Sequence, residues 1–470
     1  MTRARNPQLS FADLEFLAQG VKLDPLLRAI ADFIDEHAQL VEMVQRDLLR
    51  GLKRPDTGRN GLTAQEVLRS LTLMRVKNWD YRELRERIAD GYTLRCFTQF
   101  NSKPVPGHDA FNRAFNRLRP LTLEAINQSV LQAAVALGLE DGNKLRADTT
   151  VVETDIHHPT DGTLLWDVVR VITRLVKRLG KLVPVHGFAN RTRCTRRRMQ
   201  ELQRMTARQR LEQQLPKYRE LIHVTHEVIQ NARAVLGQTR HSRGIDFMTE
   251  ALVIGLRQEI QHYCALGGRV VDQARRRVLN GEQVPNEEKI YSIFEPHTDL
   301  IKRGKVLKAV EFGHKVFLAE SACGLITQYR VLDGNPPDKV QVRRSVERHK
   351  ELFGRIPEVY SSDRAFFSEE NIKYCQDAGV SLPCIPHAGG GRNPAQTAHE
   401  KSPAFKNAQR FRAGIEGRIS VLFRGRGMKR CLAEGRERFE LLVGAAVLAN
   451  NLLVIARLLT EKRHHRRIAA

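Results

Sequence analysis

The chain has 470 residues, 41% of them hydrophobic, which excludes wholesale disorder and leaves room for roughly two to four domains. With 77 Lys and Arg against 53 Asp and Glu, its formal net charge is +24, which points to a polyanionic partner, nucleic acid above all. The seven cysteines are scattered with no C-x-x-C pair, which fits a reducing compartment and gives no zinc-site spacing.

Met1 to Pro7 lack the apolar core of a secretory signal, so a cytoplasmic, nucleoid-associated protein is expected. Phe11 to Leu49 carry apolar residues at helical spacing, among them Leu26, Leu27, Ile30, Phe33 and Ile34. From Leu62 to Arg117 short helices follow, broken by Asp-Gly-Tyr and Ser-Lys-Pro-Val-Pro-Gly. Thr63 to Glu66 has the form of a capping box. Arg113, Arg117 and Arg119 near the end of this region would suit a helix laid against DNA, while a purely structural bundle reads equally well. Residues 1–140 are therefore expected to be an N-terminal helical, DNA-binding region.

Leu145 to Val152 alternates as a strand, and residues 141–156 would open a catalytic core. Leu164 to Arg277 is helical and very basic, with Arg191 to Arg198 and Arg275 to Arg277 as charge runs. Leu164 to Leu182 is apolar on one face, and Leu202 to Leu236 reads as one amphipathic helix. Residues 157–300 thus read as a basic helical insertion whose arginines contact phosphates or simply solvate its surface. Strands return at Val310 to Leu318 and Leu325 to Leu332, joined as a hairpin. Asp338 is placed to cap a helix ending at Phe353 before Gly354. Glu358 to Ser362 is the next strand, Ser368 caps a helix ended by Gly379, and Val380 to Ile385 is a further strand. A loop over 388–403 then leads to the helix bearing Glu416, and residues 301–436 complete the core. The apolar run Leu441 to Ala456 is short for a membrane span and contains Asn450 and Asn451. It belongs to a core helix in a C-terminal segment, 437–470, that ends in a basic tail.

The alternation of short strands with helices implies an α/β fold, a mixed sheet flanked by helices. Three acids stand out in it. Asp148 follows Lys-Leu-Arg-Ala on the first strand, Asp363 closes Glu-Val-Tyr-Ser-Ser, and Glu416 lies within Phe-Arg-Ala-Gly-Ile-Glu. Carboxylates are the hard oxygen ligands that Mg²⁺ takes, and two ions held by such acids can activate and stabilise the oxygens of a phosphodiester. Asp148 and Asp363 can occupy neighbouring strands with the Glu416 helix packed across them. On that helix Ile415, Ile419 and Leu422 form an apolar stripe, and Arg412, Glu416 and Ser420 lie on another face. Gly414 and Gly417 are each unfavourable in a helix by about 1 kcal/mol relative to Ala, which calls for close approach by a strand or DNA. His157 and His158 read as loop residues rather than metal ligands, and Glu153 and Asp155 as neighbours of uncertain facing. The Gly389 to Asn393 loop lacks the ending of a nucleotide-binding loop, and its Arg392 is placed to touch DNA.

These pieces resemble the insertion-sequence DDE transposases with an RNase-H-like core, closest to the ISNCY group. The matching segments are Leu145 to Pro159, Tyr360 to Phe366, Arg412 to Glu416 followed by Arg424 to Gly427, and Trp79 to Arg87. The resemblance implies that Asp148, Asp363 and Glu416 bind Mg²⁺, with Mn²⁺ as a substitute, and cut and rejoin double-stranded DNA. The substrates would be the element's terminal inverted repeats and target DNA, with a homodimer or larger assembly on DNA and no membrane. Arg412, one turn before Glu416, is placed either to pair with the glutamate or to bind a phosphate; Lys315 on its strand is a phosphate candidate, and Arg424 or Lys429 would supply the basic contact missing from the signature. Where such enzymes carry Tyr-x2-Arg-x3-Glu-x6-Lys, this chain has Gln409 for the Tyr and Phe423 for the Lys. The alternatives are a catalytically silent DNA-binding derivative, a metal-dependent nuclease of the same fold, and a basic helical scaffold for RNA.

Overall fold

The computed structural model describes residues 2–3, 11–20, 22–54, 57, 59–239, 246–302, 310–389 and 394–469. Arg392 lies outside the described residues. The chain divides into two compact units, one of Met1–Glu153 with His314–Ala470, the other of Thr154–Gly313.

The first unit begins with the two-residue strands β1 (Thr2–Arg3) and β2 (Arg59–Asn60), which pair in parallel. Between them come α1 (Phe11–Ala18), α2 (Pro25–Glu36) and α3 (Ala38–Leu49). Asp24 accepts from the backbone N–H groups of Leu26 and Leu27, and Pro25 takes the first helical position, where its missing N–H costs nothing. α4 (Ala64–Lys77) starts with the expected capping box, reciprocal between Thr63 and Glu66. α5 (Tyr81–Asp90), α6 (Tyr92–Thr98), α7 (His108–Phe115) and α8 (Pro120–Ala136) complete the helical region. Arg117 Nη2 donates to Arg50 O, and Arg119 Nε lies 2.8 Å from the buried Asp47 carboxylate. Both guanidiniums are engaged by other residues of the fold although Arg119 itself is exposed, as is Arg113.

A seven-stranded mixed sheet forms the rest of the architecture. Its strands are β3 (Lys144–Thr154), β4 (Asp299–Lys302), β5 (Val310–Ser321), β6 (Ile326–Val331), β7 (Val359–Ser361), β8 (Leu382–Cys384) and β9 (Arg430–Cys431). The order runs β4-β5-β3-β7-β8, with β6 on β5 and β9 on β3. β5 and β6 are the expected antiparallel hairpin, whereas β7 runs parallel to both β3 and β8. β7 and β8 are each shorter than the runs expected over Glu358 to Ser362 and Val380 to Ile385.

The second unit is built from α9 (Asp161–Leu179), α10 (Thr192–Arg204), α11 (Ala207–Gln238) and α12 (Phe247–Ala274), followed by a π-helical turn, Arg275–Leu279. Leu165, Val168, Ile172, Leu221, Val228, Ile260 and Val270 pack into a core of its own. The single helix expected over Leu202 to Leu236 is in fact two. Thr206 forms a capping box with Gln209 and starts α11 afresh after α10 ends at Arg204. Many arginines of this unit are paired within it: Arg191 with Glu227, Arg198 with Glu201 and Glu220, Arg276 with Glu282 and Glu288, and Arg277 with Asp161.

In the first unit, α13 (Gln341–Phe353) follows a 3₁₀ turn, Asp338–Val340, so Asp338 does not cap it. Gly354 ends α13 in the left-handed conformation. Ser368 caps α14 (Glu369–Asp377) as expected. The loop expected over 388–403 contains a helix, α15 (Pro394–Lys401), which the Pro at its first position permits. Ser402 then caps α16 (Pro403–Gly425). Alternate residues of β5 face opposite sides: Phe317 and Ala319 pack with Val342 and Val346 of α13, Val316 and Leu318 with Leu422 of α16 and Val443.

The last helix, α17 (Arg436–Ala469), packs against α2, α4 and α8. It is long and apolar enough to cross a membrane, yet most of that stretch is buried in the unit, as a core helix would be. Its buried Asn451 explains the polar residue in the apolar run. The amide accepts from Ile326 N at 2.8 Å and donates to Ile326 O and Asn127 Oδ1, each at 2.8 Å, so it serves β6 as a neighbouring strand would. We expect Asn451→Ala to lower stability by roughly 1–3 kcal/mol, since it orphans the buried Ile326 N–H and leaves the Ile326 C=O only a long bond from Asn127 Nδ2. The midpoint of urea unfolding measures this, and an unchanged midpoint would show that the amide adds nothing.

Candidate active site

Pleating of β3 sends Leu145 and Ala147 into the core beneath α13 and leaves Arg146 and Asp148 on the α16 side. The β3–β7 ladder pairs Arg146 with Ser361, so Asp148 and Asp363 each lie two residues beyond that pair. Asp363 accepts from Ala365 N at 2.9 Å, which fixes its carboxylate at the start of a 3₁₀ turn, Arg364–Phe366. Ser361 Oγ donates to Ala408 O, and Gln409 Nε2 to Cys384 O, tying α16 across β7 and β8. Gln409, standing where the resembled family has Tyr, thus has an anchoring contact of its own.

A further tie on α16 is ionic. Glu320 of β5, 1% exposed, accepts from Arg146 at 2.7 Å and from Arg418 Nε at 2.7 Å. Arg146 continues to Phe411 O at 2.6 Å and lies over the Phe411 ring at 4.8 Å. A Cβ on Gly414 would overlap Arg146 Nη1, so the close approach expected at this glycine is made by β3. Gly417 has open space beside it and no such reason. Ile415 and Leu422 are buried and Ile419 partly so, which leaves Arg412 and Glu416 on the other face.

There the three acids meet a single guanidinium. Arg412 Nη2 lies 3.3 Å from Asp148 Oδ2 and 3.9 Å from Asp363 Oδ2, and Nη1 lies 3.1 Å from Glu416 Oε1. Asp148 is mostly buried, Asp363 one-third exposed, and Glu416 exposed. Arg412 Nε is buried with no hydrogen-bond partner. Burial pushes the Asp148 carboxyl up to about 6. Arg412 and the Thr149 N–H oppose that rise, and Asp363 and Asp338 add to it.

Lys315 is held by Asp338 Oδ1 at 2.7 Å and Pro336 O at 2.9 Å. Asp338 also accepts from Thr149 Oγ1, next to Asp148. It is therefore a fourth acid of the neighbourhood that helix-cap reasoning misassigned. Glu320 was also missed, though an acid ending the apolar run Val316 to Ala319 was its signal. Arg424 and Lys429 are exposed; their carbonyls accept from Asn78 Nδ2 and Glu153 N, which holds β9 beside β3. In the second unit, His157 Nε2 lies 2.7 Å from Asp167, and that hydrogen bond raises its pKa. Among the described residues no set of three His, Cys, Asp or Glu side chains is grouped tightly enough to hold a metal ion. The donor set still suits a hard cation, being three carboxylates already drawn round one positive group.

No family model, curated protein or solved structure matches the chain in a comparison with each.

The raised Asp148 pKa fixes a sign. The folded state holds this proton to about pH 6 whereas an ordinary aspartate carboxyl releases it near 3.8, so stability falls as pH rises through that window. The loss is on the order of 2–3 kcal/mol and is complete above it. Without divalent ions, Asp148→Asn is expected to be more stable than the wild type at pH 7.5 and indistinguishable near pH 3.5. Denaturant titrations across pH 3.5–7.5 measure this, and parallel curves would rule out the shift.

Proposed function

We propose that the chain is a metal-dependent DNA transposase with an RNase-H-like core, in which Asp148, Asp363 and Glu416 are the acid triad. The observation that carries this reading is their meeting at Arg412, from two adjacent parallel strands and one crossing helix. Acids this far apart in sequence, Asp148 more than two hundred residues from the other two, repel one another when gathered, and a fold retains such a cluster where a cation is to be held. The same carboxylates would hold Mg²⁺, or Mn²⁺ in its place. Such ions, when bound, supply the activation of the attacking oxygen and the stabilisation of the leaving oxygen.

The chain's own residues do the rest. Asp148 and Asp363 keep their places through the β3–β7 ladder and the Asp363 turn, and Glu416 through the anchored α16. Arg412 neutralises the acids until a stronger cation takes its place, then is free to bind a backbone phosphate. Water attacks the phosphodiester at the element end, and the freed 3′-hydroxyl attacks target DNA. The protein supplies no nucleophile, so no covalent intermediate forms. Exposed Arg424 or Lys429 would contact a phosphate, whereas Lys315 would first have to leave Asp338. The substrates are terminal inverted repeats and target double-stranded DNA, held by two or more protomers. The occupancy of the acids by Arg412 also favours a second reading, a catalytically silent DNA-binding derivative in which the arginine never leaves.

The deciding experiment is Mg²⁺-dependent cleavage of DNA carrying the gene's own flanking sequences. Cutting at the element boundary by wild type, with Glu416→Gln and Asp363→Asn inactive but still DNA-binding, is the expected result. Equal cutting by wild type and Glu416→Gln would refute the triad, and tight binding without cutting would select the silent derivative. Arg412→Ala should bind Mn²⁺ about tenfold or more tightly than wild type by electron paramagnetic resonance, since one cation no longer competes with another. Unchanged Mn²⁺ affinity would mean that Arg412 does not guard the acids.

A further inference from the structure

A second site lies within the first unit, away from the acids, where the C-terminal end of α4 meets the segment around β9. A cavity of about 600 Å³ opens there, in the size range of small-molecule sites. Its floor carries Arg75. The Nε of this residue is buried without a hydrogen-bond partner, and no ion pair reaches its guanidinium among the described residues. Burial lowers its pKa, the expected signature of a cation held without a counter-charge. The helix C-terminus favours a cation but is worth only about 0.3–1 kcal/mol, well short of desolvating a guanidinium.

The walls say what kind of anion would fit. Trp79, Tyr81 and Phe115 supply aromatic faces, with the Tyr81 and Phe115 rings 5.8 Å apart. Asn112 and Asn116 share one hydrogen bond at 2.7 Å, from Asn116 Nδ2 to Asn112 Oδ1, which involves neither the Asn112 NH₂ nor the Asn116 carbonyl, a donor and an acceptor suited to a polar edge. Arg438 stands exposed on the rim. Of the two acids at the cavity, Asp80 caps α5 and Glu434 is exposed. The segment around Gly427 closes the Arg75 end. Gly427 has φ +68, and a Cβ there would overlap Asn78 Oδ1 and lie 3.2 Å from Arg75 Nη1, so only glycine lets the backbone pass so near.

We propose that this cavity binds one nucleotide, its base stacked on the Trp79–Tyr81 wall and its phosphate paired with Arg75. Stacking with an arginine-bound phosphate is how proteins hold unpaired bases, and an Asn amide can pair with a base edge. The ligand is either a free mononucleotide or an unpaired nucleotide of a DNA strand. The site stands independently of the acid triad.

The test uses full-length protein without divalent ions, carrying Trp166→Phe so that Trp79 is the sole tryptophan reporter. Its fluorescence is titrated with dAMP, inorganic phosphate, a single-stranded octamer and the same octamer made abasic. We expect saturable quenching by dAMP or by the octamer, weakened about 10- to 100-fold by Arg75→Met. Arg438→Glu, at an exposed position, should weaken it as well and covers the case in which Arg75→Met fails to fold. Saturation by dAMP identifies a free nucleotide, and saturation by the octamer alone identifies an unpaired nucleotide in a strand. Equal binding of inorganic phosphate or of the abasic octamer would overturn the role of the base. Absence of quenching, or quenching untouched by both variants, would overturn the site. A Glu416→Gln control should bind nucleotide normally, so failure here is separable from failure of the triad.

Discussion

Glu320 is the point on which the placement of the acids depends. Its carboxylate is buried on β5 and shared by Arg146 from β3 and Arg418 from α16, so one charge ties two strands and a helix together. Removing any one partner of such a buried network leaves a desolvated charge uncompensated, which costs several kcal/mol, so the three groups hold or fail as a set. Arg146 can reach Phe411 O only because position 414 has no Cβ. The distance between α16 and β3 is therefore set by a glycine and a guanidinium together. Arg412 and Glu416 ride on that spacing.

The site above this anchor follows the same rule with the signs reversed. Below, one acid satisfies two arginines; above, one arginine faces three acids, and the arrangement is less complete. Asp148 resists ionisation, Arg412 keeps an unbonded Nε, and Glu416 is largely solvated. A cluster with charge left to satisfy is suited to exchange one cation for another, whereas the Glu320 network is suited to stay put. Arg75 presents the complementary case, a cation with no ion-pair partner among the described residues.

The net charge of +24 also has to be read through the structure. Arg191, Arg198, Arg276 and Arg277 belong to the runs that suggested phosphate contacts, yet each is paired with an acid of its own unit. Charge counted along the chain gives the sign of the long-range field, while the groups free to touch a phosphate are fewer and differently placed. Arg119 and Lys315 make the same point, each spending its charge on a buried or half-buried aspartate.

Local signals were legible wherever the physics is local. The capping box at Thr63, the Ser368 cap, the stop at Gly354, the β5–β6 hairpin and the buried character of Leu441 to Ala456 all depend on neighbours a few residues apart. Asp148, Asp363 and Glu416 could be picked out individually for the same reason, each from its own strand or helix. What failed were choices between two partners. Asp338 could cap a helix or take Lys315 and Thr149, and only the packing of β3 against β5 offers the second. The break at Thr206 and the helix at Pro394 show the margin within which capping decides a boundary. The sequence by itself determined most of the elements and their order and singled out three candidate acids, because periodicity and caps act over one or two turns. Tertiary structure alone decided that Arg412 also reaches Asp148 and Asp363, that Glu320 anchors their helix and that Arg75 has no ion-pair partner among the described residues. Each of these depends on charges far apart in the chain being brought within a few ångströms and shielded from water.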